Sequence, residues 1–272
     1  MPKFRSLKNP GVQLTERSRS GVALTPVGRE VAERARRILD EVQGIIDFSA
    51  GAQHGIVGTI RLGAKPTLGP YLLPHVVASL HRLHPELRLY IREGAPRELE
   101  HELRRGVHDV ILAQLPVVGS ELVVQRLFRE PLYLALAADH PLAAKAEIEA
   151  KDLKGLQVLS LSPQYHLHDQ INAVCQEFGA TVLRDYEGTS LDALRQMVGM
   201  DMGVTFLPAL YVRSEISSRS EIVVKQLRGK SIARSLGLVW RKSAGRAAAY
   251  QQIADIVREV TAEKFKDLIV ER

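Results

Sequence analysis

Residues 59–83, TIRLGAKPTLGPYLLPHVVASLHRL, change period half-way along. Thr59 to Ala64 reads as a short apolar strand, and from Pro70 to Leu83 the positions Leu73, Val76, Val77 and Leu80 fall at helical spacing. A strand that feeds directly into a helix is the unit of a parallel sheet with helices on its faces, and the unit recurs. Leu87 to Arg92 alternates as a strand, Glu98 to Arg105 reads as a short helix, and Val107 to Leu115 and Glu130 to Ala137 read as strands. Next come strand Gln157 to Leu161, a helix from about His168 to Phe178, strand Val182 to Glu187, helix Ser190 to Met200 and strand Gly203 to Leu207. Strand Arg234 to Trp240 and helix Ala247 to Phe265 end the pattern. The order predicts an α/β protein of two subdomains with a cleft between them, in preference to one continuous sheet.

Two strand-to-helix turns bound that cleft: Lys65-Pro66-Thr67-Leu68-Gly69-Pro70 and Glu187-Gly188-Thr189-Ser190-Leu191. Each puts hydroxyls where free backbone N–H groups and the positive end of a helix dipole collect, at the carboxyl ends of strands where open α/β sheets bind ligands. Thr and Ser are also ordinary helix caps, and both readings stay open. Enzyme signatures are missing: there is no Gly-x-Ser-x-Gly elbow, Walker loop, Gly-x-Gly-x-x-Gly or His-Glu-x-x-His. The pairs His166/His168 and His81/His84 lack a cysteine or a suitably spaced carboxylate, so no catalytic residue, metal set or cofactor is expected. The single cysteine, Cys175, shares a helical face with Ile171, Val174 and Phe178, which predicts a structural sulfur in the core.

The 272 residues are 45% hydrophobic, contain no apolar run of membrane-spanning length, and begin without the apolar stretch of a secretory signal. A cytoplasmic protein without a membrane partner is expected. Charge is concentrated at one end. Residues 1–37 hold nine Lys/Arg against three acids, while the rest of the chain balances. A basic end on a neutral body suits contact with a phosphate backbone. Thr25-Pro26 opens a helix predicted to reach about Ala50, whose residues Val31, Ala35, Ile38, Val42, Ile45 and Ser49 form a narrow seam flanked by charge, as in helix-to-helix pairing. Gly51 to Gly58 reads as a hinge-like break.

The stretch Gly11 to Gly28, GVQLTERSRSGVALTPVG, resembles the end of the DNA-binding domain of LysR-type transcriptional regulators: a wing, then Leu-Thr-Pro opening the dimerisation helix. The chain beyond the hinge resembles the OxyR-type, peroxide-sensing branch. The carrying residues are Pro66 to Pro74 (PTLGPYLLP), Asp109 to Ala113 (DVILA), Asp169-Gln170, Phe178 to Ala180, Thr189 to Leu191, Val204 to Leu210 (VTFLPAL) and Gly237 to Val239. The resemblance implies a remnant of a winged helix-turn-helix over 1–24, a dimerisation helix and hinge over 25–55, and an effector domain over 56–272. That domain would hold two Rossmann-like, periplasmic-binding-protein-like subdomains, one of about 56–130 and 234–272 and one of about 131–233. It further implies a homodimer or homotetramer, and a small-molecule effector whose binding changes contacts with DNA.

Carried over by position, Thr67 is a cleft-facing hydroxyl, Thr189 and Ser190 lie at the opposite helix start, Thr205 on a neighbouring strand, and Arg234 matches a basic residue near the redox site. Gln114 and His166 complete the expected effector set, and Arg17, Arg19 and Ser20 the expected phosphate contacts. The branch's peroxidatic cysteine falls on His166, with Cys175 in the resolving position nine residues later, and a further pocket hydroxyl falls on Pro96. The expectation is therefore an OxyR-type fold without disulfide peroxide sensing. Met1 to Pro10 do not continue the pattern and leave too few residues before the wing for the missing helices. Autonomous operator reading is not expected; action through a mixed dimer with an intact relative and a functional remnant without autonomous DNA binding are the two alternatives. A cytoplasmic small-molecule-binding protein without a DNA role is the rival.

Overall fold

The computed structural model describes residues 12–18, 21–54, 56–184, 186, 188, 190–216, 221–229 and 231–271, excepting the side chains of 17, 18, 21 and 47–54. Strands β1 (Thr15–Ser18) and β2 (Gly21–Leu24) pair antiparallel with Thr15 opposite Leu24, in the stretch that resembles a wing. Thr25 caps α1 (Pro26–His54) as the sequence predicts: its hydroxyl accepts the Gly28 N–H at 3.0 Å and donates to the Gln13 carbonyl at 2.7 Å. Gly28 is where hairpin and helix meet, since a Cβ there would lie 1.8 Å from the Leu14 carbonyl oxygen. The expected break at Gly51 comes later, because the helix continues to His54. Ala50 and Ala52 flank the glycine, whose helix cost of about 1 kcal/mol is small against such neighbours.

The body is built of β3 (Gly58–Ala64), α2 (Gly69–Leu83), β4 (Leu87–Glu93), α3 (Pro96–Arg104), β5 (Val110–Gln114) and β6 (Leu122–Ala137). Then come β7 (Ile148–Glu149), β8 (Gln157–Val158), α4 (His166–Phe178), β9 (Thr181–Val182), α5 (Leu191–Gly199), β10 (Thr205–Pro208) and α6 (Ala209–Glu215). The chain ends in β11 (Ile222–Lys225), β12 (Leu227–Arg228), β13 (Ala233–Arg241), α7 (Ala247–Lys264) and β14 (Ile269–Val270). Helix α3 begins at Pro96, a residue suited to the first helical position, earlier than predicted. Helix α4 begins at His166 rather than His168, because the His168 ring bonds the Leu161 carbonyl from within the first turn. The predicted strand Val182 to Glu187 is shorter, with pairing at Thr181–Val182.

The largest correction concerns β6. It is 16 residues long, and its first half pairs antiparallel with β13 while its second half pairs with β10 and β11. The hydrogen-bonded path β10-β6-β13-β5-β3-β4 therefore runs unbroken through both halves, where separate sheets were expected. Packing nevertheless divides the molecule. One core gathers Ile60 and Leu62 of β3, Leu72 and Val76 of α2, Leu238 of β13 and Val257 of α7. A second gathers Leu134 and Leu136 of β6, Ile171 and Cys175 of α4, Leu194 of α5 and Phe206 of β10, and a third, smaller cluster joins Leu103 of α3 to Ile111 of β5 and Val239 of β13. Tyr71 packs against the first two and meets Tyr211 edge-on at 5.8 Å. Two α/β subdomains thus share one long strand, β6. No helix among the described residues is long and apolar enough to cross a membrane.

Candidate functional site

At the end of β3 the chain turns into α2, the N–H groups of Leu68 and Gly69 donating to the Lys65 carbonyl at 3.0 and 2.8 Å. Thr67 does not cap α2; Leu68 holds that position with no side-chain bond. Instead Thr67 accepts Arg234, whose Nη1 donates to the hydroxyl at 3.1 Å and whose Nη2 donates to the Thr67 carbonyl at 3.0 Å. Arg234 Nε donates to Glu130 Oε2 at 2.8 Å, and Glu130 Oε1 accepts the Leu210 N–H at 2.9 Å. Both ion-pair side chains are 0% exposed. This cluster ties the turn before α2 to β6, β13 and α6 where β6 and β13 pass between the halves.

A second polar chain runs from one subdomain to the other. Lys65 is buried, and its Nζ donates to Gln114 Oε1 at 3.0 Å. Gln114 Nε2 donates to Gln170 Oε1 at 3.2 Å, and Gln170 Nε2 donates to the Ala233 carbonyl at 2.8 Å. Gln114 ends β5 in the first subdomain and Gln170 lies on α4 in the second. Burial holds the Lys65 ammonium well below the usual lysine pKa; nearby Arg234 lowers it further and Glu130 opposes both.

His166 opens α4, with Nε2 3.8 Å from Glu100 Oε1 of α3. Burial depresses its pKa first and the Lys65 charge second, while Glu100 and Asp169 pull it up. Its Nδ1, with Ser160 Oγ and Ser162 Oγ on the turn before α4, is buried without a hydrogen-bond partner among the described residues. Such orphans are rare in native structures and call for an explanation.

The structure therefore brings Thr67 and Arg234 together, and Gln114 beside Lys65 with His166 near it. Thr205 lies apart in its bonding, buried with its hydroxyl donating to the Leu159 carbonyl at 2.8 Å. Ser190 is exposed and caps α5, accepting the Ala193 N–H at 3.4 Å. Thr189, Arg19 and Ser20 lie outside the described residues, as does the Arg17 side chain. Cys175 sits in the second core with Ile171 and Val174, and burial pushes its thiol up to about 11. Sequence reasoning missed Lys65, Glu130 and Gln170. The available signal was a charge where apolar or small residues are the rule: Lys65 in GAKPTLG at a strand end, and Glu130 in FREPLYL inside a strand.

Two subdomains joined by a double crossover and by polar chains that run between them define a two-lobed α/β domain. The LysR substrate binding domain model matches residues 53–262, and the chain belongs to that family. Within it the chain is OxyR-like. It is 34% identical over 248 residues to the DNA-binding transcriptional dual regulator OxyR of Escherichia coli K12, covering 91% of this chain and 81% of that protein. It is 33% identical over 261 residues to a probable hydrogen peroxide-inducible genes activator of Mycobacterium avium, covering 96% and 84%. A full-length OxyR variant from Pseudomonas aeruginosa superposes with TM-score 0.74 at 34% identity, over 91% of this chain and 80% of that one. A hydrogen-peroxide-bound OxyR variant from Corynebacterium glutamicum gives TM-score 0.76 at 29% identity, over 93% and 80%.

Proposed function

We propose that this chain is a cytoplasmic, non-enzymatic transcriptional regulator in which a small molecule bound in the cleft changes the grip of a dimer or tetramer on DNA. The observation that carries the reading is the chain Lys65–Gln114–Gln170–Ala233, which joins the subdomains through one amide-to-amide bond of 3.2 Å. A ligand that replaces or completes this bond binds open and closed forms differently, which is what coupling to a second site requires. Pairing runs through α1, whose seam residues Val31, Ile38, Val42 and Ile45 are 40–69% exposed on the single chain. Arg17, Arg19 and Ser20 contact phosphates, which position a protein without reading sequence. Ligand binding replaces disulfide chemistry, because the peroxidatic position implied by the resemblance is His166 and the Cys175 thiol is buried with a raised pKa.

The test is fluorescence anisotropy of a labelled duplex from upstream of the protein's own coding sequence, titrated with the whole chain beside a scrambled duplex. The reading expects affinity that falls steeply with salt and changes when a cleft ligand saturates the protein. Absence of DNA binding alone and with an intact relative would favour the rival, a small-molecule-binding protein without a DNA role.

A further inference from the structure

We infer that the cleft takes a small anion, a monocarboxylate or comparable oxyanion, with the Lys65 ammonium as its counter-charge; this rests on the proposed effector role and names the ligand's chemistry. Among the described residues the buried lysine, arginine and carboxylate side chains are Lys65, Arg234 and Glu130. Two cations therefore share one carboxylate, and that carboxylate is already spent on Arg234 and on the Leu210 N–H. Lys65 keeps a neutral partner, the Gln114 amide oxygen, although an ammonium carries three donors. Burial without a counter-charge disfavours the Lys65 ammonium, and a bound carboxylate would restore that charged form and pair with it.

An independent observation points to the same ligand. Ser160 is 1% exposed and its Oγ has no partner among the described residues, nor do Ser162 Oγ and His166 Nδ1. The two serines lie on the turn from β8 into α4 and His166 opens α4, where it feels the charge at Lys65. Two hydroxyls and a ring nitrogen suit an oxygen-rich ligand. The start of α4, where Tyr165 provides no side-chain cap, adds peptide N–H groups and the positive dipole end. A neutral molecule of peroxide size would satisfy the hydroxyls and leave Lys65 unbalanced.

The test is calorimetric titration and thermal unfolding of the whole chain with formate, acetate and propionate. Each is set beside its primary amide, with chloride holding ionic strength constant. Carboxylates are expected to bind and raise the melting temperature, and amides to do neither. Lys65→Met is expected to weaken the carboxylates about a hundredfold, the loss typical of removing one partner of a buried charge pair, and to raise the melting temperature of the free protein. If Lys65→Met does not fold, Lys65→Gln is measured in its place. The inference is overturned if carboxylates bind no better than amides or chloride, or if removing the Lys65 charge leaves their binding unchanged. A neutral metabolite that binds in the cleft and alters DNA affinity would remove the anion and leave the regulator. A carboxylate that binds through Lys65 without altering DNA affinity would do the reverse.

Discussion

Replacing Glu130 by Gln removes one negative charge from a place where two positive ones are buried. In the native cluster one carboxylate oxygen accepts Arg234 Nε at 2.8 Å and the other accepts the Leu210 N–H at 2.9 Å. A glutamine keeps one acceptor and turns an NH2 toward either a guanidinium or a backbone N–H, so at least one donor meets another donor. The Arg234 charge is then left at 0% exposure beside the buried Lys65, with no carboxylate among the buried described residues. Breaking a buried pair by removing one partner costs about 3–5 kcal/mol. At roughly 2–4 °C per kcal/mol for a chain of this size, the melting temperature should fall by roughly 6–20 °C. Urea unfolding followed by circular dichroism measures the loss as a lower midpoint at unchanged slope. The double variant Glu130→Leu with Arg234→Met should recover much of it, since replacing both partners by apolar groups is often neutral. A Glu130→Gln protein within about 1 kcal/mol of wild type would refute the idea that this pair holds the crossovers together.

Four further outcomes rest on Cys175, Gly28 and the exposed seam of α1. Alkylation of Cys175 by iodoacetamide should be slow in the folded protein and fast in urea, and Cys175→Ser should leave any response to peroxide intact; a lost response would make the thiol reactive. Because the folded-state pKa of Cys175 is raised from 9.0 to about 11, the thiol's contribution to stability is complete below pH 9 and is lost as pH rises through 11, a window that Cys175→Ala should flatten in pH-dependent melting. Gly28→Ala puts a Cβ 1.8 Å from the Leu14 carbonyl oxygen, so limited proteolysis should cut the β1–β2 hairpin faster while the melting of the two cores stays unchanged. Ile38→Asp with Ile45→Asp, at positions 62% and 69% exposed, should convert a dimer to monomer in sedimentation velocity without lowering the melting temperature; an unchanged dimer would place the interface elsewhere.

The turn at Lys65 to Pro70 and the helix after it were legible because strand and helix each carry their own period there. Strand β6 was legible only in its second half. Its register against β13 shifts between Leu236 and Gly237, where Gly237 pairs with Arg126 and Leu236 with Phe128, leaving Leu127 as a bulge. One extra residue breaks the two-residue alternation by which a strand is read from sequence. Thr67 and Arg234 were found by resemblance, but their bond to each other spans 167 positions and no local pattern carries it. Lys65 was passed over because its meaning lies in a count of charges across three strands, which only the folded chain assembles.

The most direct test of coupling between cleft and DNA is reciprocal. The affinity of the carboxylate giving the largest thermal shift is measured by calorimetry, with the whole chain free and then saturated with its upstream duplex. The account predicts that DNA changes ligand affinity by at least about fivefold, and that ligand changes DNA affinity by the same factor. Equal ligand affinities with and without bound DNA would contradict it.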